Sequence, residues 1–292
     1  MMELLTTVFS LGFAAQVLRI AVPYALAAMG GAITERSGVI DLALEAKLLF
    51  GAFTAAAVGH ATGSAVLGIA GGVAAGMIVA AVQIGCALRL GADQVIIGIA
   101  LNSIALGGTR FLLQRLYGEG ANSPPCPAYG SAVLTNPIVW IAVIATAVLP
   151  FALRRTRWGM RLRAAGDRPD ALVAVGVSPT RARLAAALVG GALAGAGGAQ
   201  LSLAVGGFTA DMSSGRGYIA LAMVILAGWR PAWAVLACLG VATTEALRIA
   251  FQVTGVPVAQ ELVALFPYIA TVAVLIIVVS NRRPPPRSLG QV

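Results

Sequence analysis

The chain reads as a series of apolar runs separated by short polar turns. A helix that crosses a hydrocarbon core of about 30 Å needs about 20 predominantly apolar residues. Runs of that kind predict spans at about 8–31, 65–88, 95–113, 138–153, 184–205, 232–251 and 262–280. Two further apolar stretches are unusual. Residues 41–58 carry Asp41, Glu45 and Lys47 before turning apolar at Leu48. Residues 218–228 are too short to cross: at about 1.5 Å per residue they reach roughly 17 Å. They predict a re-entrant half-helix, or a span completed by Trp229-Arg230-Pro231 at the interface. The expected fold is an all-α integral membrane protein, a single domain over 1–292. It should have about nine (8–10) transmembrane or re-entrant helices.

Composition supports this reading. The chain is 59% hydrophobic and 11% charged, against roughly 25% charged residues in soluble domains. Its mean hydropathy is +0.90. Gly190, Ala194 and Gly198 recur every fourth residue, a face on which helix backbones can approach closely in lipid. The absence of Lys or Arg before Arg19 argues against a cleaved signal peptide, which needs a basic start.

Charge then sets the sidedness. Residues 154–183 hold eight of the chain's 20 Lys+Arg residues. Such an excess marks a cytoplasmic loop, and it explains the net charge of +9 better than nucleic-acid binding does. A tail with Arg282, Arg283 and Arg287 should lie on the same side. Counting spans backwards places the loop 114–137 and the N-terminus outside.

The candidate chemistry is sparse. Lys47 is the single lysine and is followed by Leu48, so no phosphate-binding G-x-x-x-x-G-K-[ST] loop exists. One histidine, His60, and three widely spaced cysteines indicate no metal site, and no cofactor is expected. Ionisable residues within membrane segments are costly and mark either a pathway or a paired structural site. Asp41, Glu45, Asn102, Ser103, Thr244 and Glu245 are therefore candidates for a solute pathway. The plainer alternatives are an ordinary polar turn at 34–47, helix–helix bonding by Asn102, and mutual neutralisation of Glu245 and Arg248 on one helix face.

Inside the basic loop, Asp170 follows Pro169 at a plausible helix start, and Gly176 is placed to end it. Ala171, Leu172 and Val175 fall on one apolar face of the short helix so defined, about 169–175. That face either packs on the protein's own span ends or inserts into a partner's groove. On the second reading, Leu172→Asp should disrupt docking.

These residues also carry a resemblance. The D-A-L-x-x-x-G pattern from Asp170 to Gly176 resembles the loop of ABC-importer permeases that contacts the ATPase subunits. Glu35-Arg36-Ser37-Gly38-Val39 through Glu45, then Gly51-Ala52-Phe53, resembles a stretch of nucleoside and simple-sugar importer permeases within the branched-chain amino acid/ribose-type family. Asp93-Gln94-Val95 through Asn102, Arg163-Ala164-Ala165-Gly166, Gly215 through Ala222, and Phe266-Pro267-Tyr268 are similar too. Asp41 stands where that pattern has Asn, and Ala46-Lys47 replace Gly and an uncharged residue.

The resemblance implies a multi-pass permease of the bacterial plasma membrane, with Asp170, Ala171, Leu172, Val175 and Gly176 coupling it to ATP-binding cassette subunits. It implies a second, related permease chain and an extracytoplasmic solute-binding lipoprotein as further partners, and no catalysis on this chain. The implied cargo is a nucleoside or a related purine or sugar solute, moved by alternating access. The alternatives are a branched-chain amino acid or pentose permease, or an ion-coupled secondary transporter.

Overall fold

The computed structural model describes residues 10–129, 135–253, 269 and 285–290. Among them the chain forms ten helices: α1 (Leu11–Arg36), α2 (Leu44–Thr62), α3 (Ala65–Leu90), α4 (Gln94–Tyr117), α5 (Pro137–Arg155), α6 (Arg157–Asp167), α7 (Pro169–Ala174), α8 (Pro179–Val205), α9 (Arg216–Leu226) and α10 (Pro231–Val253). No β-strand occurs among the described residues beyond an isolated bridge between Asn122 and Thr209. Six helices, α1, α3, α4, α5, α8 and α10, are long and apolar enough to cross a membrane. The expected last span at 262–280, with Phe266, Pro267 and Tyr268, and the tail residues Arg282 and Arg283 lie outside the described residues.

Local signals set the helix ends. Ser64, Asp93, Asn136 and Ser178 each accept a backbone N–H of the first turn that follows, satisfying donors that the helix itself cannot. Glycines with positive φ at positions 63, 91, 118 and 206 close α2, α3, α4 and α8. Two ends depart from expectation by five residues. α8 begins at Pro179, where Ser178 caps it, and not at 184. α1 does not stop near Gly31 but runs to Arg36, because its polar end is partnered inside the protein. Thr34 Oγ1 donates to the Gly30 carbonyl (3.0 Å) and Ser37 Oγ to the Thr34 carbonyl (2.6 Å).

The centre of the molecule is the group α1, α2, α3 and α8, with α10 laid against α1. Small residues make this possible. A Cβ on Gly76 of α3 would stand 2.2 Å from the Gly191 carbonyl oxygen of α8, and one on Gly198 would stand 2.1 Å from that of Leu48 in α2. The expected face of Gly190, Ala194 and Gly198 is therefore real, and Gly191 and Gly195 add a second close face toward α3. α1 is buried without a break from Ala21 to Glu35, whereas α5 buries only Ile138, Val139, Ala142 and Leu153. α4 and α5 turn Ile96, Ile104, Phe111, Trp140, Ile144 and Phe151 outward, the face that lipid covers in a chain of this composition.

α8 orders the two ends of the bundle. Its 27 residues reach roughly 40 Å. At its C-terminal end, residues 123–129 of the loop after α4 donate to the carbonyls of Phe208, Gly206 and Leu203. At its N-terminal end, Arg183 donates to the carbonyls of Ser37 and Ala165 (3.2 and 3.3 Å) and to Ser288 Oγ (3.4 Å). The basic loop and residues 285–290 thus sit together at one end, with the loop after α4 at the other.

Candidate functional site

The polar centre of the protein is the break between α1 and α2, residues 37–43, together with α9. The segment from Tyr24 to Leu49 is almost wholly buried, and it contains Glu35, Asp41, Glu45 and Lys47. An ordinary solvated turn would leave these groups in water. Here they are inside the protein, where each unpaired charge is costly.

Each finds a partner. Lys47 Nζ donates to Asp41 Oδ1 in an ion pair of which neither side chain is exposed. Asp41 Oδ2 has no partner among the described residues. Glu35 Oε2 accepts from Trp229 Nε1 (2.6 Å), and its Oε1 from the Asp41 amide (3.3 Å). Glu45 accepts three hydrogen bonds at the start of α9. Ser213 Oγ (2.6 Å) and the Gly215 amide (2.8 Å) reach Oε1, and the Gly217 amide (2.6 Å) reaches Oε2. The positive end of the α9 dipole favours the carboxylate there. Gly217 is required by the close approach: a Cβ on it would stand 2.4 Å from the Glu45 amide nitrogen.

Asn102 of α4 completes this cluster. Its Nδ2 donates to the Leu42 carbonyl and to Tyr218 Oη (both 2.9 Å), and its Oδ1 accepts from the Ala46 amide (2.9 Å). The side chain stitches the break, the first turn of α2 and α9 to one another. Helix bonding by Asn102 is thus what the geometry displays.

Beside this lies a more open group. Arg216 Nη2 donates to Glu245 Oε1 (2.7 Å), and Tyr24 Oη donates to Glu245 Oε2 (2.9 Å). The Arg216 guanidinium stands 5.7 Å from the centre of the Tyr24 ring. The Arg216 and Glu245 side chains remain 23% and 12% exposed, unlike Lys47 and Asp41 at zero. Glu245 therefore pairs across the fold with Arg216 and not with Arg248 on its own helix. Arg248 Nε has no partner among the described residues.

Two expected pathway residues stand apart. Ser103 is on the exposed side of α4 beside Ile99 and Ile104, and its hydroxyl donates to the Ile99 carbonyl (3.1 Å). Thr244 Oγ1 donates to the Val241 carbonyl of its own helix (2.7 Å). Sequence reasoning did not select Tyr24, Glu35, Ser213, Arg216 or Trp229 as site residues. Glu35 and Arg216 do sit in stretches that carry the resemblance. Trp229 reads in sequence as an interfacial residue, and its indole in fact reaches a buried carboxylate.

In the basic loop, α7 ends with Gly176 at φ +73°. Leu172 is buried against the protein's own helices, while Asp170, Ala171, Val173 and Val175 are exposed. The expectation that Ala171, Leu172 and Val175 share one docking face is corrected accordingly: Leu172 points inward and anchors the helix. No group of three His, Cys, Asp or Glu suited to a metal ion occurs among the described residues.

Glu35, Asp41, Glu45, Lys47 and Asn102 thus form a buried polar seam inside an apolar bundle, each with a partner, and Asp41 Oδ2 is the oxygen of the seam left over among the described residues. Residues 13–277 match the family described as branched-chain amino acid transport system / permease component. The chain belongs to this family. The permease is 30% identical to a putative glucose ABC transporter permease protein of Haloferax volcanii, with 91% of each chain covered. It is also 30% identical to a guanosine ABC transporter permease protein of Bacillus subtilis, covering 87% of this chain and 88% of that one. A nucleoside ABC transporter permease protein of Lactococcus lactis is 29% identical over 89% of this chain and 90% of its own. No solved structure matches the permease significantly. As a permease component it is a multi-pass membrane subunit that works with ATP-binding subunits, and ATP hydrolysis belongs to those subunits.

Proposed function

We propose that this permease imports nucleosides, or related purine or sugar solutes, by alternating access driven by ATP hydrolysis on its partner subunits. The observation that carries this reading is the likeness, over about nine-tenths of the chain, to permeases named for guanosine and nucleosides. The relative named for glucose keeps a simple sugar as the second reading, and the sugar moiety of a nucleoside links the two.

The solute pathway runs beside the seam formed by Asp41, Glu45, Asn102 and Glu245, and Thr244 stands apart from it. Arg216, Glu245 and Tyr218 are its accessible polar groups, and the buried Tyr24 holds Glu245. Ser103 lies off this path. The exposed residues Asp170, Ala171, Val173 and Val175 form the contact with the ATP-binding subunit, Leu172 anchors α7 to the membrane part, and Gly176 ends the helix. The basic loop, residues 285–290 and the α1–α2 break face the cytoplasm, and the loop after α4 faces outside. A second permease chain and an external solute-binding lipoprotein complete the importer.

The test is uptake of labelled inosine or guanosine into vesicles containing the permease with its neighbouring subunits. Uptake should require ATP and the binding protein, and unlabelled ribose or glucose in excess should compete if the sugar is the recognised part. Uptake that proceeds without ATP on a proton or sodium gradient would falsify the proposal.

A further inference from the structure

The helix α9 is held at both ends by carboxylates from the two sides of the α1–α2 break. At its start Glu45 of α2 receives Ser213 Oγ and the amides of Gly215 and Gly217. Beyond its end Glu35 of α1 receives the indole N–H of Trp229. Between these points α9 has only 11 residues. Among the described residues, the three non-glycine residues with positive φ are Asp211 (60°), Ser214 (44°) and Trp229 (57°), and all of them flank α9. Such backbone persists where its surroundings over-determine it, and it concentrates at clamps and switch segments.

Glu45 is badly placed to bind a solute directly. It is 8% exposed, both its oxygens are taken, and the Gly217 backbone lies against its own amide with no room for a Cβ. The residues on either side of Gly217 are different. Arg216 reaches Glu245 and the Tyr24 ring, and Tyr218 is 48% exposed with its hydroxyl on Asn102. Moving the start of α9 moves both together.

We propose that Glu45 is a positioning residue. Its carboxylate fixes the N-terminal end of α9 and so sets where Arg216 and Tyr218 stand, without touching the solute. The transport half of this inference rests on the function proposed above, and the structural half does not.

The experiment measures hydrogen–deuterium exchange and inosine uptake on the assembled transporter in lipid, for Glu45→Gln, Glu45→Asp and Ser213→Ala. Glutamine keeps the shape but offers one acceptor oxygen and turns an N–H₂ toward a donor. Charge-assisted hydrogen bonds are strong enough that exchange of the peptide covering 213–218 should rise about tenfold or more in Glu45→Gln. The maximal uptake rate should fall by about the same factor, while the half-saturating inosine concentration stays within about twofold. Glu45→Asp, which restores the carboxylate, should recover much of both losses. Ser213→Ala removes one donor without burying a charge, so it gives a smaller change of the same kind even if Glu45→Gln does not assemble.

Unchanged exchange in Glu45→Gln would overturn the clamp. Faster exchange with unchanged uptake would overturn its role in transport. A large rise in the half-saturating concentration without a change in exchange would make Glu45 a solute ligand, and the inference would fail. If the unmodified transporter moves no nucleoside, the solute reading fails while the exchange series still decides the clamp.

Discussion

Asp41 and Lys47 form a pair closed off from solvent. Breaking such a pair from one side leaves an uncompensated charge in a low-dielectric interior, whereas removing both charges is often neutral. Lys47→Met alone, or Asp41→Asn alone, should therefore destabilise the permease by about 3–5 kcal/mol. The double variant should recover most of that. Thermal unfolding of the purified complex, followed as a double-mutant cycle, measures it; additive losses would show that the pair is not the relevant unit. The positions of Asp41, Glu45 and Asn102 were legible in the sequence because charge is rare in a membrane segment and therefore conspicuous. Their partners were not. Trp229, Ser213 and Tyr24 are ordinary residues in an apolar chain, and only the fold brings them to a carboxylate. The expected Glu245–Arg248 pair failed for the related reason that spacing along one helix says nothing about a second arginine arriving from another.

Among the elements, α7 is the clearest case of a correct segment with a misassigned face. Its start at Pro169 and its end before Gly176 follow from rules local to the chain. With only one and a half turns, though, periodicity does not decide which apolar side chain goes inward. Since Leu172 is the inward one, Leu172→Asp mixes two effects, and even Leu172→Ala should cost about 2 kcal/mol or more by loosening α7. Val175→Asp is the clean probe. An exposed change of this kind should alter stability by no more than about 0.5 kcal/mol, yet it should abolish co-purification with the ATP-binding subunit. Retention of that subunit by Val175→Asp would remove α7 from the contact. The α3–α8 crossing makes a different demand. Gly76→Val puts side-chain carbons where the Gly191 carbonyl already stands, so the helices must separate. A loss of at least about 1–3 kcal/mol is expected, read as a lower unfolding temperature; an unchanged midpoint would mean that α3 can shift freely.

For the molecule as a whole, hydropathy located every described span to within a few residues, because lipid requires long apolar helices closed on their own hydrogen bonds. It could not foresee that α2 is buried over most of its length, since a buried helix and a lipid-facing one read alike. Contacts place residues 285–290 beside the basic loop and the loop after α4 at the far end of α8; that the first end is the cytoplasmic one is the reading of the arginine count.

The contact of that C-terminal segment bears on how the protein is made. The Gly290 amide donates to the Gly38 carbonyl, and Ser288 donates to the carbonyls of Ala165 and Gly166 while receiving Arg183. Chains are synthesised and inserted from the N-terminus, and contacts between distant parts of a sequence form late. The break that carries Asp41 leaves the ribosome about 250 residues before the residues that close over Gly38. Until residues 285–290 are made, the Gly38 end of the break is therefore an unfinished surface, and it is in this interval, before any solute is met, that a holding chaperone or a quality-control protease would find its target.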